Sequence, residues 1–196
     1  MQENLLNISH QLETERTVVK KYNEGDGLAF FELIQENKTR LVDSFPLTLA
    51  NTSDETTTEL YIQTKIAEWY EQKSFSFGIW TKEESQYIGH VSIKNIDWVI
   101  PKAELAYLIT RDFEGKGLMS EVLTAIIKFC FEELMMNRLF LRVITKNDKS
   151  FRLAEKCGFK KEGNLRNDHR TYNGDLVDLF IYGLTSEDYE TFYKNK

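Results

Sequence analysis

Hydrophobic residues recur at the spacing of a helix face in four segments of the chain. The most apolar segment, residues 117–134, has one polar stripe and hydrophobic side chains elsewhere, which predicts a largely buried helix. Asp26 is placed to cap the first segment, and the polar stretch 51–59 predicts the entry to the second rather than a domain boundary. Gly158 follows the fourth segment, where helices favour glycine. The predicted helices are residues 25–38, 60–72, 117–134 and 150–157.

Shorter segments with β-branched or loosely alternating residues predict strands. A turn at residues 82–85 and the Asn173-Gly174 pair each separate two such segments, so two antiparallel hairpins are expected. The order of helices and strands predicts a mixed α/β sheet rather than a regular alternation of parallel strands and helices. The predicted strands are residues 17–20, 75–80, 87–96, 103–110, 139–145, 159–163 and 176–184.

Composition narrows the class of protein. The chain has 196 residues, of which 41% are hydrophobic and 29% charged, so one domain spanning residues 1–196 is expected. The net charge of −6 argues against a general nucleic-acid binder. Two cysteines make no disulfide framework, no run is apolar enough to span a membrane, and residues 1–11 lack the pattern of a signal peptide. These features predict a cytoplasmic protein without a membrane partner.

The segment 103–123 is the most informative about chemistry, because a predicted strand runs into a glycine-containing loop that opens the buried helix. Gly115 and Gly117 flank Lys116, and glycine lets the backbone approach a ligand closely. The first N–H groups of a helix attract anions, so the loop predicts a cradle for a phosphate or pyrophosphate. The alternative is a tight turn without a ligand. A P-loop motif is absent, and Ser120 breaks the Rossmann fingerprint.

Three segments, taken in order, resemble one enzyme family. They are RDFEGKGLMSEVL, LRVITKNDKSFRLAEKCGFKKEG and YNGDLVDLFIYGL. The chain resembles the GNAT N-acetyltransferases, and within them the RimJ/RimL type that acetylates the N-termini of ribosomal proteins. The resemblance implies an α/β fold with a mixed, mostly antiparallel central sheet, a splay between the fourth and fifth strands, and helices on both faces. It also implies a core of about residues 12–185 with short terminal extensions, and a homodimer as one option.

The same resemblance implies acetyl-coenzyme A as the acetyl donor. Its pyrophosphate is expected on the backbone N–H groups of residues 115–120, and its pantetheine arm beside residues 108–110 like an added strand. The family pattern Gln/Arg-x-x-Gly-x-Gly/Ala falls on Glu114, Gly117 and Met119, and only the middle position matches. The expected coenzyme-binding residues are Leu108, Ile109, Thr110, Glu114, Gly115, Lys116, Gly117, Leu118, Met119, Ser120, Asn147, Ser150 and Phe151.

Asn147 and Ser150 follow the fifth predicted strand. The resemblance implies that Asn147 contacts the coenzyme arm and that the Ser150 hydroxyl lies near the thioester sulfur. A hydroxyl there can protonate or stabilise the thiolate leaving group. The alternative for Ser150 is a helix N-cap. Phe151 is expected to pack against the pantetheine arm or the core.

Three side chains are candidates for the base that accepts the amine proton. Glu104 lies on the strand that leads to the glycine loop, where many family members carry a carboxylate. Asp168 and His169 lie near a place where RimJ/RimL relatives often carry an acid, and an imidazole suits a base at neutral pH. The alternatives are a solvent-facing strand residue for Glu104 and an exposed loop residue for His169.

The remaining histidines and the cysteines have no catalytic assignment. His10 and His90 are expected to be structural or surface residues, and neither Cys130 nor Cys157 pairs with a histidine as a nucleophile would. No cluster has metal-ligand spacing, so no metal is expected.

The sequence predicts transfer of an acetyl group from acetyl-coenzyme A to a primary amine, with a protein N-terminus preferred. The expected reaction is direct attack through a tetrahedral intermediate. Three alternatives stay open. They are an N-acetyltransferase for a small amine such as a polyamine or aminoglycoside, a coenzyme A-binding module without turnover, and an interaction protein without a cofactor.

Overall fold

A computed structural model describes residues 8–194; residues 1–7 and 195–196, the outer ends of the predicted extensions, lie outside the described residues. The strands are β1 (Gln11–Glu13), β2 (Thr17–Lys21), β3 (Phe75–Thr81), β4 (Tyr87–Asp97), β5 (Lys102–Ile109), β6 (Arg138–Ile144), β7 (Lys160–Arg170) and β8 (Leu176–Thr185). The helices are α1 (Gly27–Leu41), α2 (Pro46–Ala50), α3 (Glu55–Tyr70), α4 (Leu118–Glu132), α5 (Asp148–Lys156) and α6 (Ser186–Tyr189). A 3-10 turn at Arg111–Phe113 follows β5, and a π-helical turn at Glu190–Lys194 follows α6.

The strands form one sheet in the order β1-β2-β3-β4-β5-β6-β8-β7. Neighbours are antiparallel except β5 and β6, which run parallel and pair only over residues 102–104 and 138–140. Beyond that point β5 stays paired with β4 and β6 with β8, so the two middle strands diverge. These are the fourth and fifth predicted strands, and the predicted splay between them is confirmed.

Helices cover both faces of the sheet, as predicted. Side chains along β5 alternate between the faces, so Leu105 joins the hydrophobic cluster beneath α4 while Leu108 joins the cluster beneath α1 and α3. α4 carries Gly117 in the left-handed region at its N-cap and buries most of its hydrophobic residues, as its sequence predicts. Each large apolar side chain buried in this way contributes about 1.5–3 kcal/mol to folding. The buried α4 therefore fixes the glycine loop against the sheet.

Helix starts differ from the predicted ones, because the capping side chains differ. α5 begins at Asp148, and the Asn147 side chain accepts the Ser150 N–H at 3.2 Å, so the alternative of Ser150 as the N-cap is wrong. Asp26 precedes α1, but its carboxylate accepts a hydrogen bond from outside the helix and does not cap it. α3 begins within the predicted entry segment, where Asp54 accepts the N–H of Thr57 at 2.8 Å.

Four of the named strands and helices escape the sequence prediction or extend beyond it. β1, α2 and α6 are too short, at three, five and four residues, to show a hydrophobic period. The prediction of a strand limited to residues 159–163 is wrong, because β7 continues to Arg170 along β8 with two register shifts. Its side chains are mostly exposed on a sheet edge, so the segment lacks the apolar pattern of a strand. Within residues 8–194, no helix combines the length and the hydrophobicity that crossing a membrane requires.

Candidate functional site

The diverging strands open a groove of about 890 Å³, here called the splay groove. Its walls come from the end of β5, the 3-10 turn and glycine loop, the first residues of α4 and α5, and the end of α1. Because β5 has no partner strand on this side beyond Glu104, its backbone edge faces the groove. The groove can therefore take an extended ligand that pairs with a strand edge.

The glycine loop presents a run of backbone donors to the splay groove. Gly115 and Gly117 have φ values of +71° and +82°, which turn the chain sharply into α4. Among the described residues, none accepts a hydrogen bond from the backbone N–H groups of residues 115–119. The observed run is one residue shorter than the predicted 115–120, because the Ser120 N–H donates to the Gly117 carbonyl at 3.0 Å. Backbone N–H groups without an acceptor at a helix start suit a phosphate group.

Charge in the splay groove has the opposite sign to the chain as a whole. Six basic and three acidic side chains line it, which gives a local charge of +3 against −6 for the protein. A groove with this charge concentrates anionic ligands. The basic residues are Arg40, Arg111, Lys146, Lys149, Arg152 and Lys156, and the acidic residues are Asp43, Glu114 and Asp148.

Most of the residues expected to bind the coenzyme line the splay groove. Lys116 does not, and its ammonium lies 4.9 Å from the ring centre of Phe113. Phe151 packs instead against the core beside Phe180, and the Thr110 hydroxyl accepts a hydrogen bond from α1 at 3.0 Å. The residues that do line it are Leu108, Ile109, Glu114, Gly115, Gly117, Leu118, Met119, Ser120, Asn147 and Ser150.

A smaller cavity of about 110 Å³, here called the inner pocket, adjoins the splay groove. Tyr107, Asn147 and Ser150 line both spaces and so mark their junction. Glu104 and His169 line the inner pocket but not the splay groove. Two candidate bases thus lie on the far side of Ser150 from the glycine loop.

Tyr107 holds Ser150 at the junction, and the sequence prediction did not single it out. Its hydroxyl lies 3.0 Å from Ser150 Oγ and donates to the Ser150 carbonyl at 3.2 Å. Burial raises the pKa of Tyr107 well above its ordinary value, so the hydroxyl stays protonated. The alternation along β5 could have revealed it, because Tyr107 lies on the same face as Ile109.

Glu104 is buried and fully engaged, so the alternative of a solvent-facing strand residue is wrong. Only 4% of its surface is exposed. Its carboxylate accepts a hydrogen bond from Asn95 Nδ2 at 2.6 Å and pairs with Arg142 at 3.2 Å and Lys94 at 3.6 Å. Two cations compensate the buried charge, as a buried carboxylate requires.

His169 and Asp168 lie on β7 rather than in a loop, so the alternative of an exposed loop residue for His169 is wrong. His169 is half-buried, and its Nε2 lies 2.6 Å from the Asp43 carbonyl oxygen. A carbonyl only accepts, so Nε2 carries the proton and Nδ1 of the neutral ring keeps a free lone pair. Asp168 is exposed, lines neither cavity and lies 3.7 Å from Arg142.

The other histidines and the cysteines lie outside this site. His90 is buried against Tyr22, whose hydroxyl lies 2.8 Å from its Nδ1, and burial lowers the pKa of His90 to about 3. His10 meets the edge of a tryptophan ring. Cys130 and Cys157 are buried free thiols whose pKa burial raises, so neither is an activated nucleophile. In the described part of the chain, no three metal-ligating side chains cluster.

Comparison with known proteins identifies the family of the chain. The family model described as an acetyltransferase (GNAT) domain matches residues 16–160. The chain is 31% identical to "Putative ribosomal N-acetyltransferase YdaF" of Bacillus subtilis over 90% of this chain and 94% of that protein. It is also 31% identical to the [ribosomal protein uS5]-alanine N-acetyltransferase of Escherichia coli, over 63% of this chain and 64% of that one.

Solved structures share the fold over nearly the whole chain. A probable acetyltransferase is 29% identical with a TM-score of 0.82, covering 91% of this chain and 98% of that one. A RimL structure in complex with coenzyme A is 20% identical with a TM-score of 0.82, covering 89% and 97%. The free amides, the basic lining and the open strand edge fit the diphosphate and the amide-rich arm of this coenzyme. The chain belongs to the GNAT acetyltransferase family and is an acetyl-coenzyme A-dependent N-acetyltransferase.

Proposed function

We propose that this enzyme acetylates the α-amino group of a protein N-terminus, with a ribosomal protein as the acceptor. The observation that carries the proposal is the junction of the splay groove and the inner pocket at Ser150. A thioester at the end of the groove meets there an amine that enters from the inner pocket. Two relatives at 31% identity carry a ribosomal acceptor in their names, which supports the choice of acceptor. A cytoplasmic location belongs to the same proposal.

Coenzyme binding uses the backbone of the splay groove. The free N–H groups of residues 115–119 donate to the diphosphate, and the open edge of β5 at Leu108 and Ile109 pairs with the amides of the arm. The Asn147 side-chain oxygen is engaged as the α5 cap, which leaves its NH₂ group free to donate to the arm. When bound, the coenzyme supplies an acetyl thioester, whose carbonyl is open to attack by an amine.

The Ser150 hydroxyl donates a hydrogen bond to the leaving thiolate and stabilises its developing charge while keeping its own proton. Its half-buried hydroxyl lies at the end of the groove, and Tyr107 donates a hydrogen bond to Ser150 Oγ when the serine proton turns toward the sulfur. Because Tyr107 stays protonated, it can keep the serine hydroxyl in this orientation throughout the reaction. Removing one such donor from a developing anion typically slows an enzyme by two or three orders of magnitude.

His169 accepts the proton that the attacking amine loses. The Asp43 carbonyl accepts from Nε2 and so selects the tautomer of the neutral ring in which Nδ1 carries the lone pair that can act as the base. An α-amino group has an ordinary pKa of about 7.7–8.0, so it needs less help than a lysine. Glu104 is less suited to this task, because Asn95 and two cations already engage its carboxylate. Asp168 takes no part in the proton transfer, since it lines neither cavity.

The test is a thiol-release assay with peptides that match ribosomal-protein N-termini. Each peptide is paired with the same peptide acetylated at its N-terminus, and spermidine and an aminoglycoside are assayed in parallel. The proposal predicts release with free N-termini and none with the blocked peptides. Turnover confined to the small amines would overturn the proposal that the acceptor is a protein N-terminus. Coenzyme binding by calorimetry without turnover on any amine would leave only a binding module.

A further inference from the structure

A single carboxylate bridges two walls of the splay groove. Glu114 pairs with the Arg40 guanidinium at the end of α1 and with the Lys149 ammonium, 2.8 Å away, in the first turn of α5. All three side chains line the groove, and Glu114 is mostly shielded, with 20% of its side chain exposed. One acid therefore occupies two of the six cations that face the groove.

The bridge lies where an anion is expected. Glu114 directly precedes the free N–H groups of residues 115–119. Arg40 is partly buried, and this burial together with the nearby Arg111 charge lowers the pKa of the Arg40 guanidinium. Two guanidinium groups in a partly dehydrated groove favour an anion between them. In the described structure, the acid that pairs with Arg40 is Glu114.

We propose that Glu114 is an internal competitor for the coenzyme diphosphate: its carboxylate holds Arg40 and Lys149 until the diphosphate displaces it from them. Carboxylate and phosphate oxygens compete for the same donors, so each pair gained with the ligand replaces one lost within the protein. Glu114 thus weakens coenzyme affinity and helps the coenzyme A product to leave. The inference rests on the placement of the diphosphate in the proposed function.

The inference explains a departure from the family pattern. The first position of that pattern is basic or an amide, and a side chain of either kind can donate to a phosphate oxygen. Glutamate at physiological pH only accepts, so Glu114 cannot contribute such a bond. Its two ion pairs across the groove give the residue a different task at the same place.

The decisive variant is Glu114→Gln, which removes the charge and keeps the shape. Calorimetric titration with coenzyme A should show about tenfold tighter binding than the wild-type protein, which corresponds to two partly exposed ion pairs that no longer have to be broken. The affinity should also fall more steeply with added salt, because two more groove cations are free to meet phosphate. Equal or weaker binding by Glu114→Gln would overturn the inference.

A double-mutant cycle locates the effect on the bridge. Lys149→Met alone should change the affinity less than twofold, because Glu114 already neutralises this exposed lysine. In the Glu114→Gln background the same change should remove part of the gained affinity. If Lys149→Met lowers affinity equally in both backgrounds, the two side chains are not coupled and the inference fails.

Asp148→Asn is the matched charge control. Asp148 also lines the groove, but it pairs with Arg152 of the same helix at 3.0 Å and does not span the groove. Its substitution should tighten coenzyme binding less than threefold. A gain equal to that of Glu114→Gln would mean that the net charge of the groove, and not the bridge from Glu114, sets the affinity, and it would overturn the inference.

Coenzyme A carries both a diphosphate and a 3′-phosphate. A ligand that lacks the 3′-phosphate shows which of the two competes with Glu114. With 3′-dephospho-coenzyme A, the gain from Glu114→Gln should persist, because the inference assigns the cations to the diphosphate. Loss of the gain with this ligand would contradict that assignment. If no variant and no wild-type protein bound coenzyme A, the proposed coenzyme site itself would fail, which is a different outcome from unchanged binding by Glu114→Gln.

Discussion

Tyr107→Phe removes one hydroxyl from the junction and keeps the ring in place. The lost hydroxyl lies 3.0 Å from Ser150 Oγ and donates to the Ser150 carbonyl at 3.2 Å. Each hydrogen bond of this kind is worth about 0.5–1.5 kcal/mol, so the variant should lose about 1 kcal/mol of stability. Orientation of the serine hydroxyl is worth a similar amount, which predicts a kcat lower by about fivefold.

The assay is thiol release with acetyl-coenzyme A and an accepted N-terminal peptide. The KM for acetyl-coenzyme A should stay within about twofold, because Tyr107 makes no contact with the glycine loop in this account. Ser150→Ala should lower kcat by about a hundredfold. Adding Tyr107→Phe to Ser150→Ala should lower kcat no further, because the tyrosine acts through the serine hydroxyl.

Tyr182→Phe is the matched control for this prediction. The Tyr182 hydroxyl donates to Glu155 of the same helix α5 at 3.0 Å, away from both cavities. Its loss should lower stability with kcat unchanged. The reasoning is refuted if Tyr107→Phe leaves kcat unchanged, or if it slows the Ser150→Ala variant as much as it slows the wild-type enzyme.

Three further predictions follow from the same geometry. Gly117→Glu places a negative side chain at a left-handed residue of the cradle, so calorimetry should show coenzyme A affinity reduced more than a hundredfold, with folding checked by circular dichroism. His169→Gln can still donate to the Asp43 carbonyl but cannot accept a proton, so kcat should fall about a hundredfold with the KM for acetyl-coenzyme A unchanged; an unchanged kcat would exclude this base. His90 has its pKa lowered to about 3, against about 6.5 when unfolded, so the unfolded state binds more protons below pH 6.5. Urea unfolding should therefore show about 2 kcal/mol lost between pH 7 and pH 5, a loss that His90→Asn should reduce and that a flat wild-type profile would disprove.

The local sequence pattern was sufficient to predict the helices and loops whose own residues show a clear hydrophobic period or well-placed glycines. α4 has hydrophobic side chains on most of its faces and glycines before it, so both its burial and the loop that precedes it follow from the sequence. The splay followed from the family resemblance, not from the pattern of residues. β7 could not be predicted beyond its first residues, because backbone pairing with β8 holds its polar, exposed segment in the sheet.

Contacts between distant segments were beyond sequence reasoning. Tyr107 and Ser150 lie 43 positions apart, and the bond between their hydroxyls depends on how α5 packs over the diverging strands. The burial of Glu104 depends on cations from β4 and β6, which no local pattern reveals. Glu114 was visible as a departure from a family motif, but its partner on α1 appears only in the folded chain.

The central claim is that the free N–H groups of residues 115–119 hold the coenzyme diphosphate while its arm lies between β5 and β6. A crystal structure of the protein soaked with coenzyme A tests it most directly. The account predicts phosphate oxygens within about 3.2 Å of at least three of those nitrogens and the arm along the open edge of β5. A diphosphate bound elsewhere, or β5 and β6 closed against each other beside it, would contradict the account.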